Sequence, residues 1–175
     1  MVQRTLRIRR VGLEDLAAHR RLRLEMLAAD PDAFWARRED VARWSDERWR
    51  EDIRGPRLHL QARVGDEVQG GIAVLPEGYT PEHTIAPDEA ILVSLWVRPA
   101  ARGTGVSTAL LRGARDLAVS LGRPRLQLEV DERNTAARRM YERVGFRDTG
   151  RREPRDGHDS RWVEYTAHAD HLALG

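Results

Sequence analysis

Apolar positions along the chain follow two periods, and the changes between them mark out the elements. In residues 5–10, Leu6 and Ile8 sit between arginines and a threonine, the two-residue period of a strand. After Gly12, the residues Leu13, Leu16, Ala17, Leu24, Leu27 and Ala28 recur at helical spacing, so a helix is expected to end before Pro31. Residues 32–37 form a connector carrying Phe34 and Trp35, and Ser45 is placed to cap a helix through Arg54 that carries Trp49 and Ile53. Gly55-Pro56 stops it. Residues 57–64 and 68–75 are apolar runs joined at Gly65-Asp66, the signature of a hairpin. A polar loop with three prolines fills 76–88, a length at which loops commonly carry function. Residues 91–97 are almost wholly apolar, as in a strand buried on both faces. Val106, Leu110, Ala114, Leu117 and Leu121 mark another helix, closed by Gly122 and Pro124. A strand follows at 126–130, and then a helix opened by Asn134 and ended by Gly145, with Ala137, Met140, Tyr141 and Val144 on one face. Residues 146–151 and 162–167 predict a closing hairpin with Asp156-Gly157 at its tip.

Composition narrows the chemistry. The 175 residues suit one domain, 1–175, with no internal repeat and no linker. With no cysteine, disulfides, thiolate metal sites and thiol nucleophiles are excluded. All 30 basic residues are arginine, so a phosphate loop that depends on lysine and a Schiff-base lysine are excluded as well. The basic pI of about 9.6 invites a nucleic-acid reading. Against it, the formal net charge is only +2, with 28 acidic residues interspersed among the arginines. No apolar run approaches the ~20 residues that span a bilayer. The first ten residues interleave arginines with Val2, Leu6 and Ile8 where a signal peptide needs a continuous apolar block, so a cytoplasmic protein is expected. His168 and His171 have the spacing of a metal pair but lack an evident third ligand, so no metal is expected and a frayed end is the simpler account.

The chemistry concentrates between positions 91 and 146. A buried strand leads into Arg102-Gly103-Thr104-Gly105-Val106-Ser107-Thr108, and a helix begins at once. The first amides of a helix have no internal partners and lie at the positive end of its dipole. Glycines before them let an anion approach the backbone. Two glycines are also the mark of a plain strand-to-helix turn. A dinucleotide fingerprint is excluded, because its third glycine falls on Thr108.

This segment resembles the pyrophosphate loop of the GNAT acetyltransferase superfamily, Gln/Arg-x-x-Gly-x-Gly/Ala. Arg102 and Gly105 match it, and Ser107 departs at the last position. Downstream, Leu128, Val130, Asn134, Ala137, Tyr141 and Gly145-Phe146 match the family's next strand and helix in order and separation, most closely those of the RimI-like branch, which acetylates protein N-termini. The resemblance implies an α/β (three-layer α+β) fold with about four helices on the two faces of a central, mixed, mostly antiparallel sheet. That sheet is expected to have six or seven strands and a splayed central pair. It also implies an acetyl-CoA-dependent N-acetyltransferase that moves acetyl directly to the primary amine of a small molecule or peptide in a ternary complex. The alternatives are a non-catalytic acetyl-CoA sensor or interaction protein on the same fold, and a nucleic-acid-binding module.

By the same resemblance, Leu95, Trp96 and Val97 present backbone groups to pantetheine, though their side chains also read as core. Residues 103–108, namely Gly103, Thr104, Gly105, Val106, Ser107 and Thr108, give amides to pyrophosphate, and Arg102 adds charge. Asn134 touches the pantetheine region or caps its helix, or does both. Tyr141 serves the leaving sulfur, the alternative being a buried aromatic. Glu129 acts as base or recognises the amine, unless it is simply an exposed strand residue, and Glu89 is the second candidate base. Phe34, Trp35, Glu129 and His158 are candidate acceptor contacts. Asp32, Glu39, Asp40, Asp156 and Asp159 lie in the same loops and would suit a cationic amine. Residues 162–167 offer a strand for pairing across a homodimer.

Overall fold

The computed structural model describes residues 5–175. The alternation at the start of the chain appears as β1 (Leu6–Arg10), while Val2 lies outside the described residues. The chain continues through α1 (Leu16–Ala29), α2 (Arg38–Ala42), α3 (Asp46–Arg54), β2 (Leu58–Val64), β3 (Glu67–Leu75) and β4 (Glu89–Val97). It ends with α4 (Val106–Ser120), β5 (Arg125–Asp131), α5 (Thr135–Val144), β6 (Arg147–Pro154) and β7 (Arg161–His168). The strands form one seven-stranded sheet in the order β1-β2-β3-β4-β5-β7-β6. Every pairing is antiparallel except β4 with β5, which α4 connects as a crossover helix.

The two faces of the sheet are covered differently. Leu110, Leu111 and Ala114 of α4, with Tyr141 and Val144 of α5, pack on Leu60, Ile72, Leu92, Leu126 and Leu128 in the larger core. On the other face, Leu22, Met26 and Leu27 of α1 close with Val41 and Trp49 over Val68 and Trp96. Two irregularities move side chains from one face to the other. Opposite Ala62 and Arg63, β3 carries an extra residue between Val68 and Gly70, so Val68 and Ile72 serve opposite cores. In β4 the pairing shifts around Ser94, whose φ of 59° is the single positive value outside glycine among the described residues.

The structure departs from the sequence expectations in three places. A one-turn helix, α2, forms between the 32–37 connector and Ser45, where Val41 is buried against α1. The segment 162–167 is no exposed edge: β7 lies between β5 and β6, so cross-chain pairing through it is ruled out and the free edges are β1 and β6. The C-terminal segment is not frayed, since Leu172 and Leu174 are buried and the Ala173 amide bonds the Val144 carbonyl at 2.9 Å.

Candidate active site

The parallel pair β4 and β5 is hydrogen-bonded only from Glu89–Ala90–Ile91 to Arg125–Leu126–Gln127. Beyond Ile91 the strands part, and the gap opens into a cavity of about 760 Å³. Its walls are the second half of β4, Leu128 to Val130 of β5, the turn before α4, the buried face of α5, and residues from α1 and the loop after β3.

The turn leaves its backbone open to the cavity side. Gly103 and Gly105 take φ of 75° and 88°, which a side chain disfavours, and a Cβ on either would meet nothing within 4 Å. The space above both glycines is therefore open. Gly105 is the N-cap of α4 and offers no side-chain cap. Among the described residues, the amides of Val106, Ser107 and Thr108 have no hydrogen-bond partner. The Thr104 hydroxyl donates to the Ala101 carbonyl at 2.7 Å and holds the turn. The Val106 side chain belongs to the core, while Ser107 lines the cavity. Arg102 donates from Nε to the Val97 carbonyl at 3.0 Å and from Nη2 to Asp30 at 2.8 Å, bracing the mouth. Leu95 and Val97 line the cavity. The Trp96 ring packs with the α1 residues and donates to Asp30 at 2.6 Å.

Asn134 fulfils the capping reading: its Oδ1 accepts from the Ala137 amide at 3.1 Å. It also lines the cavity, and its side-chain amide group has no acceptor among the described residues. Tyr141 stands one α5 turn past Ala137, buried in edge contact with Phe146 at 5.7 Å. Its hydroxyl has no hydrogen-bond partner among the described residues, and burial pushes its pKa well above the ordinary phenol value.

Glu129 lies across the cavity on β5. Burial raises its carboxyl above the usual carboxylate range, and the nearby charge of Glu164, its partner across β5–β7, raises it further. The Tyr79 hydroxyl donates to it at 3.4 Å, which partly offsets the rise. Around them stands an aromatic wall in which Trp35 stacks between Trp162 at 5.6 Å and Tyr79 at 6.0 Å. Trp35 is 69% exposed at the rim.

Of the candidate bases and named acceptor contacts, two fall outside the cavity. Glu89 sits at the closed end of β4, where its carboxylate faces Arg125 at 3.7 Å, so it cannot reach a group held between the splayed strands. His158 is exposed at the β6–β7 tip. The carboxylates of the flanking loops, Asp32, Glu39, Asp40, Asp156 and Asp159, do not line the cavity either. The tip is anchored elsewhere: Arg155 is paired with Asp131, donates to the Asp32 carbonyl at 2.6 Å, and lies over Trp162. Sequence reasoning missed Tyr79, Arg23, Arg57 and Ser94, all of which line the cavity. The long proline-rich loop was a signal for Tyr79, and a polar residue inside the apolar run 91–97 was a signal for Ser94. An arginine on an amphipathic helix carried none.

Comparison with known proteins agrees with this geometry. No curated protein matches the chain. Solved structures that superimpose on it include a GNAT-family acetyltransferase from Streptococcus pneumoniae. Its TM-score is 0.73 at 19% identity over 94% of this chain and 99% of that one. The Salmonella typhimurium protein yncA, solved with its cofactor acetyl-CoA, matches with a TM-score of 0.69 at 18% identity over 95% of each chain. The ribosomal-protein-S18-alanine N-acetyltransferase of Escherichia coli gives a TM-score of 0.64 at 20% identity over 94% of each chain. At these identities the likeness shows the fold. The family assignment comes from the sequence itself: residues 14–146 match the family model described as Acetyltransferase (GNAT) family. With the splayed strands, the open glycine turn and the tyrosine of α5 in place, the chain belongs to the GNAT acetyltransferase family.

Proposed function

We propose that the protein is an acetyl-CoA-dependent N-acetyltransferase that passes the acetyl group directly to a primary amine. The observation that carries this reading is that a single cavity is lined by Gly103 and Ser107 at the start of α4, by Tyr141 with its free phenol, and by Glu129 with its perturbed carboxylate.

The donor fits these residues. The amides of Val106, Ser107 and Thr108 and the open space over Gly103 and Gly105 suit a pyrophosphate. The gap beyond Ile91 leaves β4 backbone for the amides of a pantetheine arm, and the free Asn134 amide adds a donor to it. The bound thioester supplies an electrophilic carbonyl and a thiolate leaving group.

The protein's own groups then perform the proton transfers. An attacking amine must be neutral. Glu129, held above the usual carboxylate range, is a better base near neutral pH than an exposed glutamate, acting directly or through a water. The amine nitrogen bonds the acetyl carbon, the carbon–sulfur bond breaks, and Tyr141 donates its proton to the departing sulfur. Burial keeps that phenol protonated until it is needed. With no cysteine in the chain, a thiol-linked acetyl-enzyme is excluded.

The test is acetyl-CoA binding by calorimetry followed by thiol release over an amine panel. Tyr141→Phe is expected to lower kcat about 10²-fold or more with the acetyl-CoA Kd little changed. Binding without turnover on any amine would replace the enzyme with a sensor, and absence of binding would remove the donor from the reading altogether.

A further inference from the structure

The acceptor half of the cavity carries two guanidinium groups with which no carboxylate forms an ion pair among the described residues. Three other guanidinium groups on or beside the sheet are matched by a carboxylate: Arg98 with Glu25 at 2.7 Å, Arg63 with Asp15 at 2.8 Å, and Arg102, at the mouth of the cavity, with Asp30 at 2.8 Å. Arg23 and Arg57 both line the cavity and have no ion pair among the described residues. The one hydrogen bond of Arg23 runs from Nη1 to the Ser94 hydroxyl at 2.9 Å, and Arg57 has none among the described residues. The carboxylate that acts on Arg23 is Asp52, which is already held by His19 at 2.9 Å and lies 3.2 Å from His59. Burial, together with repulsion from Arg57, lowers Arg23 to about 10, so it remains charged at neutral pH. Two half-buried cations lining one cavity without a carboxylate partner are placed to meet an anion.

The donor's phosphates are not that anion. Arg57 immediately precedes Leu58, which pairs with Val74, which pairs with Leu92. The glycine turn follows Val97, so the two sites are roughly 16 Å apart along β4 at the usual strand rise. Arg57 acts instead on Tyr79, the residue that donates to Glu129.

Resting on the acetyltransferase reading, we infer that the acceptor is an amine that carries its own anionic group, of amino-acid type. Its carboxylate or equivalent oxyanion is bound by Arg23 and Arg57, and its amino group is directed to Glu129. A polyamine is the wrong charge for this wall. The planar fork of each guanidinium matches a carboxylate or a phosphonate alike. The exposed edge of the stacked Trp35 gives the body of the acceptor an apolar surface at the rim.

The experiment compares free L-amino acids, their amides, their decarboxylated amines and aminoalkyl phosphonates as acceptors, with thiol release as the readout. Acetyl-CoA binding is measured by calorimetry on the same sample. At least one acid is expected to exceed its amide in kcat/KM by about tenfold or more. Arg57→Gln is expected to raise the acceptor KM by a similar factor while leaving the acetyl-CoA Kd in place, and a higher rate on the phosphonates would assign the site to that oxyanion. Arg23→Gln is expected to act likewise, with its thermal melt checking the fold. Amides or plain amines that match or exceed the acids overturn the inference, as does acetyl-CoA binding with no acid acetylated. A weakened acetyl-CoA Kd in Arg57→Gln also overturns it, giving the arginines to the donor. Loss of acetyl-CoA binding in the unmodified protein would instead be a failure of the acetyltransferase reading.

Discussion

At the scale of single residues, Glu129 shows how placement changes chemistry. In water a glutamate titrates near 4.3. Here burial and the facing Glu164 raise it. Only the deprotonated form can accept a proton, so kcat/KM is expected to rise with pH along a limb above the usual carboxylate range. Glu129→Gln should remove that limb along with most of the rate. The folded state disfavours the charged carboxylate, so the same substitution should leave the melting temperature unchanged or raise it, as a thermal scan at pH 7.5 would show. Gly145 is a residue of the opposite kind. It ends α5 at φ 111°, and a Cβ there would come within 2.8 Å of the His171 carbonyl. Gly145→Ala is expected to cost about 2 kcal/mol in denaturant unfolding, from the left-handed conformation and the collision together.

At the scale of elements, α3 is joined to the sheet by a polar contact inside an apolar seam. Trp49 is fully buried, and Asp52 of α3 is held by His19 of α1 and His59 of β2, whose rings lie 4.4 Å apart. Burial pushes Asp52 upward, but the two imidazoles outweigh it and hold the carboxyl far below its usual range. Burial lowers His59. The signs then follow. A histidine kept neutral in the fold contributes stability above its unfolded value of about 6.5, and loses it as the pH falls below that value and the unfolded chain takes up the proton. The Asp52 contribution persists to lower pH, because it is lost only as the pH drops through a depressed folded value. The melting temperature should therefore be level above pH 7 and begin to fall near pH 6.5. His59→Gln should blunt that first decline, and an unchanged slope would rule out His59 as its source. Trp49→Ala should cost about 3–5 kcal/mol, since its ring fills the space between α3 and the second core.

At the scale of the molecule, the cavity is a consequence of topology. Five antiparallel pairings join β1 to β4 and β5 to β7 and β6, and one parallel seam is left between these two groups. The pairing of β4 with β5 ends at Ile91, the register with β3 shifts just beyond it around Ser94, and the helices of both faces close around the gap. A ligand that fills the gap binds only the folded chain. Acetyl-CoA at a hundred times its Kd is therefore expected to add about 2.7 kcal/mol of stability. For a chain of this length that is a rise of roughly 5–10 °C in melting temperature, measurable by scanning fluorimetry.

Much of this was legible in one dimension. The helical and two-residue periods located the strands and the long helices, because one-sided burial forces apolar residues onto one face. The glycines of the turn, Asn134, Glu129 and Tyr141 could be placed relative to one another because they lie on consecutive elements, where local geometry and spacing act together. The one-turn helix α2 was not legible, since its stability comes from burying Val41 against α1 rather than from its own sequence. The same holds for β7, whose position between β5 and β6 depends on the order of strands and not on the composition of any one. Glu89 and His158 carried suitable chemistry but lie at the closed end of the seam and at an exposed tip. Arg23, Arg57, Tyr79 and Ser94 come from four separate elements and connections, and nothing in their spacing relates them. The sequence by itself determined the elements, the glycine turn and the family's local pattern, because each depends on neighbours within a few residues. Only the tertiary structure decided which charges line the cavity and which carboxylate is perturbed, because burial and electrostatic partners are set by contacts between distant segments of the chain.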